Sequence, residues 1–109
     1  MTAPFLIEFP ADEPDRARRF WEELLETALA PRTAEEGRGW QAERGGITFG
    51  LHSRGTGPGD RFSLPYFTVA DLPAALERVL SLGGEVVHPG ERLAICRDSE
   101  GTPFGLAAA

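Results

Sequence analysis

A chain of 109 residues with a formal charge of −6 and a sequence pI near 4.9 is sized for one domain around one core. It lacks the surplus of basic side chains that neutralising phosphates or anionic lipid would require. It has no stretch near the ~20 apolar residues that cross a bilayer, and no basic-then-apolar leader, so the sequence predicts a cytoplasmic protein whose partners include neither nucleic acid nor membrane. The single cysteine, Cys96, has no partner for an internal disulfide and no Cys-His spacing for structural zinc.

In chain order, Phe5 to Phe9 reads as a strand. Pro14 then opens a helix whose Ala17, Phe20, Trp21, Leu24, Leu25 and Ala28 fall on one stripe. Arg18 with Glu22 and Arg19 with Glu23 sit at i,i+4 on its solvated face, and Pro31 ends it. Gly39 to Glu43 and Ile47 to His52, separated by Arg44-Gly45-Gly46, have the form of a hairpin. The stretch Ser53 to Asp60 has little to bury and is expected to be a mobile loop.

After the loop the order starts again. Leu64 to Val69 reads as a strand, Asp71 as a helix N-cap, and Ala75, Leu76, Val79, Leu80 and Leu82 as the buried stripe, stopped by Gly83-Gly84. Glu85 to Val87, Leu93 to Arg97 and Thr102 to Leu106 supply three more strands. Gly46-Ile-Thr-Phe-Gly-Leu51 returns as Gly101-Thr-Pro-Phe-Gly-Leu106, and Leu6, Phe9 and Ala17 return as Leu64, Phe67 and Ala75. The fold class is therefore α+β: two tandem βαβββ modules, one over about residues 4–52 and one over about 62–107, joined by a loop over 53–61 within a single domain 1–109. One helix for about four strands leaves the far face of each curved sheet concave, which is where a ligand would go.

Asp12-Glu-Pro-Asp-Arg-Ala-Arg-Arg-Phe-Trp21 resembles the first-module signature of the vicinal-oxygen-chelate superfamily, to which glyoxalases, bleomycin-resistance proteins and extradiol dioxygenases belong. Tyr66 to Asp71, Leu82 to Gly90 and Arg97 to Leu106 resemble its second-module signatures. The resemblance covers nearly the whole chain. It implies a concave cleft, a homodimer, and, in the family's enzymes, a divalent metal held from the first and last strands of each module. Carried over by position, those metal sites are Leu6, Gly50, Leu64 and Gly105. Leu and Gly side chains offer no lone pair to a metal, so the expectation is no metal, no cofactor, and no transfer of the family's activity with its fold.

Strand alternation from those four positions directs Leu6, Glu8, Thr48, His52, Leu64, Tyr66 and Thr68 into the cleft, with Trp40 or its neighbour Gln41 joining them. Phe5, Ile7, Phe9, Phe49, Leu51, Phe67, Phe104 and Leu106 are expected under the helices. Glu8 reads equally well as a general base or cation-binding group and as an acceptor for nearby Arg or Tyr donors. His52 is a weaker candidate, with Glu8 as a two-residue site; His88 reads as a surface residue, Cys96 and Trp21 as core. Trp40 could stack on a flat ligand or pack as an ordinary core aromatic. No catalytic residue is assigned. The function expected is a metal-free binding protein that sequesters an antibiotic or other planar or cationic natural product and so confers resistance. The alternative is an enzyme, metal-dependent or a metal-free lyase, isomerase or cyclase, using Glu8, His52 and Tyr66.

Overall fold

The strand-helix-strands order that the sequence repeats is repeated in space. The computed structural model describes residues 4–57 and 60–109. It runs β1 (Pro4–Ala11), α1 (Pro14–Leu25), β2 (Ala30–Pro31), β3 (Trp40–Arg44), β4 (Ile47–Ser53), β5 (Leu64–Val69), α2 (Leu72–Ser81), β6 (Glu85–His88), β7 (Leu93–Arg97) and β8 (Pro103–Ala108). The strands form one sheet in the order β2-β3-β4-β1-β5-β8-β7-β6. Within each module the first and last strands pair in parallel, β1 with β4 and β5 with β8, which requires the crossover that the helix supplies. The modules join at the centre, where β1 and β5 pair antiparallel with Leu6 opposite Tyr66 and Glu8 opposite Leu64.

The two helices cover one face. Ala11, Leu29 and Leu51 are buried there, with the partly buried Phe9, Trp21 and Phe49 packed against them, and the rings of Phe9 and Phe49 stack at 4.7 Å. Leu72, Ala94, Cys96 and Leu106 are buried in the second module, with the partly buried Phe67 and Phe104 against them. A third cluster, Leu64, Tyr66 and Ile95 with Leu6, lies across the module boundary. Phe5 belongs to this third cluster and not under a helix, because the β1/β5 register shifts between Pro4 and Leu6 and breaks the alternation at that point.

The first helix is shorter than its sequence stripe. It ends at Leu25, because Glu26 turns into the left-handed region at φ 52°, and Pro31 lies in the short strand β2 instead of at the helix end. Ala17 and Trp21 pack on the sheet, whereas Phe20 and Leu24 are exposed and Ala28 lies beyond the helix. The Arg18–Glu22 and Arg19–Glu23 pairs do not form among the described residues. Arg18 instead lies 5.3 Å over the Trp40 ring, and the Glu22 carboxylate accepts the Leu29 N–H at 2.8 Å, tying down the helix exit.

In α2 the Asp71 carboxylate accepts the Ala74 N–H at 3.0 Å, as an N-cap should. Ala75, Leu76 and Val79 pack beneath it, while Leu80 and Leu82 face outward. Of the glycine-rich loop, Pro58 and Gly59 lie outside the described residues. Asp60 turns back to accept the Gly57 N–H at 3.0 Å. Among the described residues no helix is long and apolar enough to cross a membrane.

Candidate functional site

The uncovered face carries a cleft of about 900 Å³. Its walls come from β1, β5, the ends of β4 and β7, the segment after β2, and the loop between the modules. The repeat makes its two halves comparable. Glu8 lies beside Gly50 in one parallel pair and Tyr66 beside Gly105 in the other, and Gln41 and Ile95 are the antiparallel partners of those glycines. Glu8 thus corresponds to Tyr66 and Gln41 to Ile95. One half is polar and the other apolar, on the same backbone.

In the polar half Glu8 is a buried carboxylate with both oxygens engaged. Arg32 donates from Nη1 to Oε1 at 2.8 Å and from Nη2 to Oε2 at 2.5 Å, a bidentate pair whose side chains are only 8% and 9% exposed. The guanidinium is itself pinned: its Nε donates to Gln41 Oε1 at 2.9 Å and its Nη1 to the Arg38 carbonyl at 3.0 Å. Gln41 is oriented in turn by donating to Glu36 at 2.7 Å.

His52 Nδ1 lies 2.8 Å from Glu8 Oε1. An ionised carboxylate only accepts, so the proton is on Nδ1. Nε2 is buried without a hydrogen-bond partner among the described residues, and Asp60 Oδ1 is 3.7 Å away. Burial alone pushes the Glu8 carboxyl upward, but hydrogen bonds from His52 and Arg32, with the Arg32 charge, outweigh it and hold the group below its ordinary value.

In the apolar half Tyr66 is pushed up to about 12, by burial first and then by the charges of Glu8 and Asp60, so its hydroxyl stays a protonated donor. Leu6 and Ile95 flank it. The two glycines explain themselves at this level. A Cβ at position 50 would overlap Arg32 Nη2 and Glu8 Oε2, and a Cβ at position 105 would overlap the Tyr66 ring.

Of the residues picked from the sequence, Leu6, Glu8, His52 and Tyr66 line the cleft. Leu64 shares their face but is fully enclosed, and Thr48 sits farther along β4 beside Leu6. Trp40 also lines the cleft. It pairs with Leu51 and packs on the α1 side, so Gln41 is the inward member of that pair of neighbours. His88 is exposed, yet it borders the cleft. The lining does not favour a cation, as a cationic ligand would require: Glu8, Glu36 and Asp60 are matched by Arg32, Arg38 and Arg54. Arg32 was missed altogether. A buried Glu8 demands a cation, but the sequence offers eleven basic residues and no way to choose among them.

Whether these residues fit a divalent metal can be tested on the side chains themselves. Leu6 and Leu64 present hydrocarbon, and the space above Gly50 and Gly105 is taken by Arg32, Glu8 and Tyr66. Among the described residues no group of three His, Cys, Asp or Glu side chains is placed to hold an ion. The four positions do not fit a metal.

A family model described as a glyoxalase-like domain matches residues 6–107. None of the curated proteins matches the chain. Among solved structures, a hypothetical protein from Bacillus halodurans superposes with a TM-score of 0.72 at 14% identity, covering 99% of this chain and 94% of its own. A glyoxalase/bleomycin resistance protein/dioxygenase superfamily member from Vibrio splendidus gives 0.68 at 13% identity over the full length of both chains. A protein from Legionella pneumophila described as an NAD-dependent benzaldehyde dehydrogenase gives 0.71 at 13% identity, covering 94% of this chain and 96% of its own. At these identities the likeness is one of fold.

Proposed function

The chain belongs to the glyoxalase-like domain family, and from that premise we propose that it is a metal-free small-molecule-binding protein of the glyoxalase and bleomycin-resistance type. It sequesters a flat natural product such as an antibiotic. The observation that carries this reading is that both glycine donor positions are closed by the protein's own side chains while a cleft of about 900 Å³ stays open between them, a size suited to a drug-like molecule. With acidic and basic side chains balanced in the cleft, a neutral or zwitterionic compound suits the site better than the cationic one the sequence suggested. Its flat body lies against Leu6, Tyr66 and Ile95, and its polar end meets the Glu8, Arg32 and His52 network.

Elemental analysis of the purified protein, paired with tryptophan-fluorescence titration against neutral, cationic and anionic planar compounds, tests this. Metal-free protein with saturable quenching by a neutral compound, weakened in Tyr66→Ala, is expected. A stoichiometric divalent metal would overturn it. In line with the family's habit, we also propose a homodimer, which sedimentation velocity tests.

One observation favours a second reading, an enzyme. Glu8 holds His52 by Nδ1 at 2.8 Å, the arrangement in which an imidazole serves as a general base through Nε2, with Tyr66 as a protonated donor to a developing oxyanion. In that reading the base is His52 and Glu8 positions it, since a carboxylate held low by two donors is a poor base. Recovery of a bound compound chemically unchanged favours sequestration, and recovery of an isomer favours the enzyme.

A further inference from the structure

We propose that Arg32 is the resident cation of this cleft: its guanidinium holds the Glu8 carboxylate over Gly50 and thereby denies Glu8, the carboxylate beside His52, to any divalent ion. The inference rests on the metal-free reading above and names what enforces it. Glu8 and His52 are the pair of metal donors that the polar half brings into direct contact, on neighbouring strands with Oε1 and Nδ1 2.8 Å apart. A metal ion held by this pair would need at least one Glu8 oxygen, and Arg32 bonds to both.

Three features make this occupancy permanent. A guanidinium is a planar fork whose parallel N–H donors match both oxygens of a carboxylate at once. Gln41 Oε1 and the Arg38 carbonyl fix its orientation from outside the pair. Gly50 leaves the space in which it lies, since a side chain there would overlap both Nη2 and the Glu8 oxygen. The fold thus keeps a carboxylate and an imidazole together and balances them with a charge supplied by the chain.

Nickel titration of the full chain by calorimetry is the test, with wild type, R32A, E8H and E8H/R32A. Removing a fixed positive charge within a few ångströms of the donors is expected to tighten Ni²⁺ binding by on the order of tenfold or more. Wild type should show no saturable binding, R32A should acquire it, and H52A in the R32A background should lose it again. If R32A fails to fold because Glu8 is left unpaired, the pair E8H and E8H/R32A asks the same question without an orphaned carboxylate, and the double variant is expected to bind more tightly. Wild-type protein that binds Ni²⁺ as tightly as R32A would overturn both this inference and the metal-free reading. Wild type without binding, and no gain in either variant lacking Arg32, would overturn the role of Arg32 alone.

Discussion

The ring of Tyr66 lies over Gly105, its neighbour in the parallel pairing of β5 and β8, so closely that a Cβ at position 105 would overlap Cδ2 and Cε2. Tyr66 is 6% exposed and packed against Leu64 and Ile95, which leaves the ring little room to withdraw. Gly105→Ala should therefore destabilise the protein by about 1–3 kcal/mol through overpacking, measured by urea unfolding. In a Tyr66→Ala background the same change should cost much less. Equal costs in the two backgrounds would mean that the ring is not what position 105 accommodates.

The Arg32–Glu8 pair predicts an asymmetry between breaking and replacing. Arg32→Ala leaves a buried carboxylate with only His52 beside it, and the expected loss is about 3–5 kcal/mol, the usual cost of stranding a buried charge. Replacing both partners with methionine removes the charges together and should cost clearly less than Arg32→Ala alone. Guanidinium chloride unfolding of the single and double variants decides it, and an additive double variant would show that the two side chains do not depend on each other.

How far the sequence carried depended on the range of each interaction. Strand alternation placed Leu6, Glu8, His52 and Tyr66 on the concave face because each lies within a regular strand, and the repeat fixed Gly50 against Gly105. The same rule failed for Phe5, where a register shift between neighbouring strands, invisible in one strand's pattern, turns the side chain. The α1 stripe runs longer in the sequence than in the packing because Phe20 and Leu24 are apolar yet exposed, and periodicity does not tell a buried turn from an unburied one. Arg32 follows a two-residue strand containing Pro31, too short to leave a period, and its partner lies twenty-four residues away. Pairing of charges at that range is a property of the folded sheet.

Acid stability should bear the mark of Glu8. Its carboxyl sits below the ordinary value of 4.5 in the folded protein, so the native state takes up this proton less readily than the unfolded chain. The resulting stabilisation is fully present above 4.5 and is lost as pH falls through the lower folded value. Wild type should consequently lose stability more steeply than Glu8→Gln over that window, by at most about 1.4 kcal/mol per pH unit for one proton. Urea midpoints at a series of acid pH values measure the difference, in which the other carboxylates cancel. Parallel curves would mean that Glu8 is not held in its ionised form.

Tyr66 is the only tyrosine in the chain, so its ionisation can be followed alone by near-ultraviolet absorbance. It should titrate at about 12 instead of the ordinary 10.0, because burial disfavours the phenolate and the charges of Glu8 and Asp60 add to that, with Arg32 opposing. Glu8→Gln removes one of the lesser causes and leaves burial in place. Its midpoint should move down while staying above 10.0. Circular dichroism on the same samples confines the comparison to pH values at which the protein is folded. A wild-type midpoint near 10.0 in folded protein would mean that water reaches the hydroxyl freely, and that Tyr66 does not form the dry wall against which a flat ligand is proposed to lie.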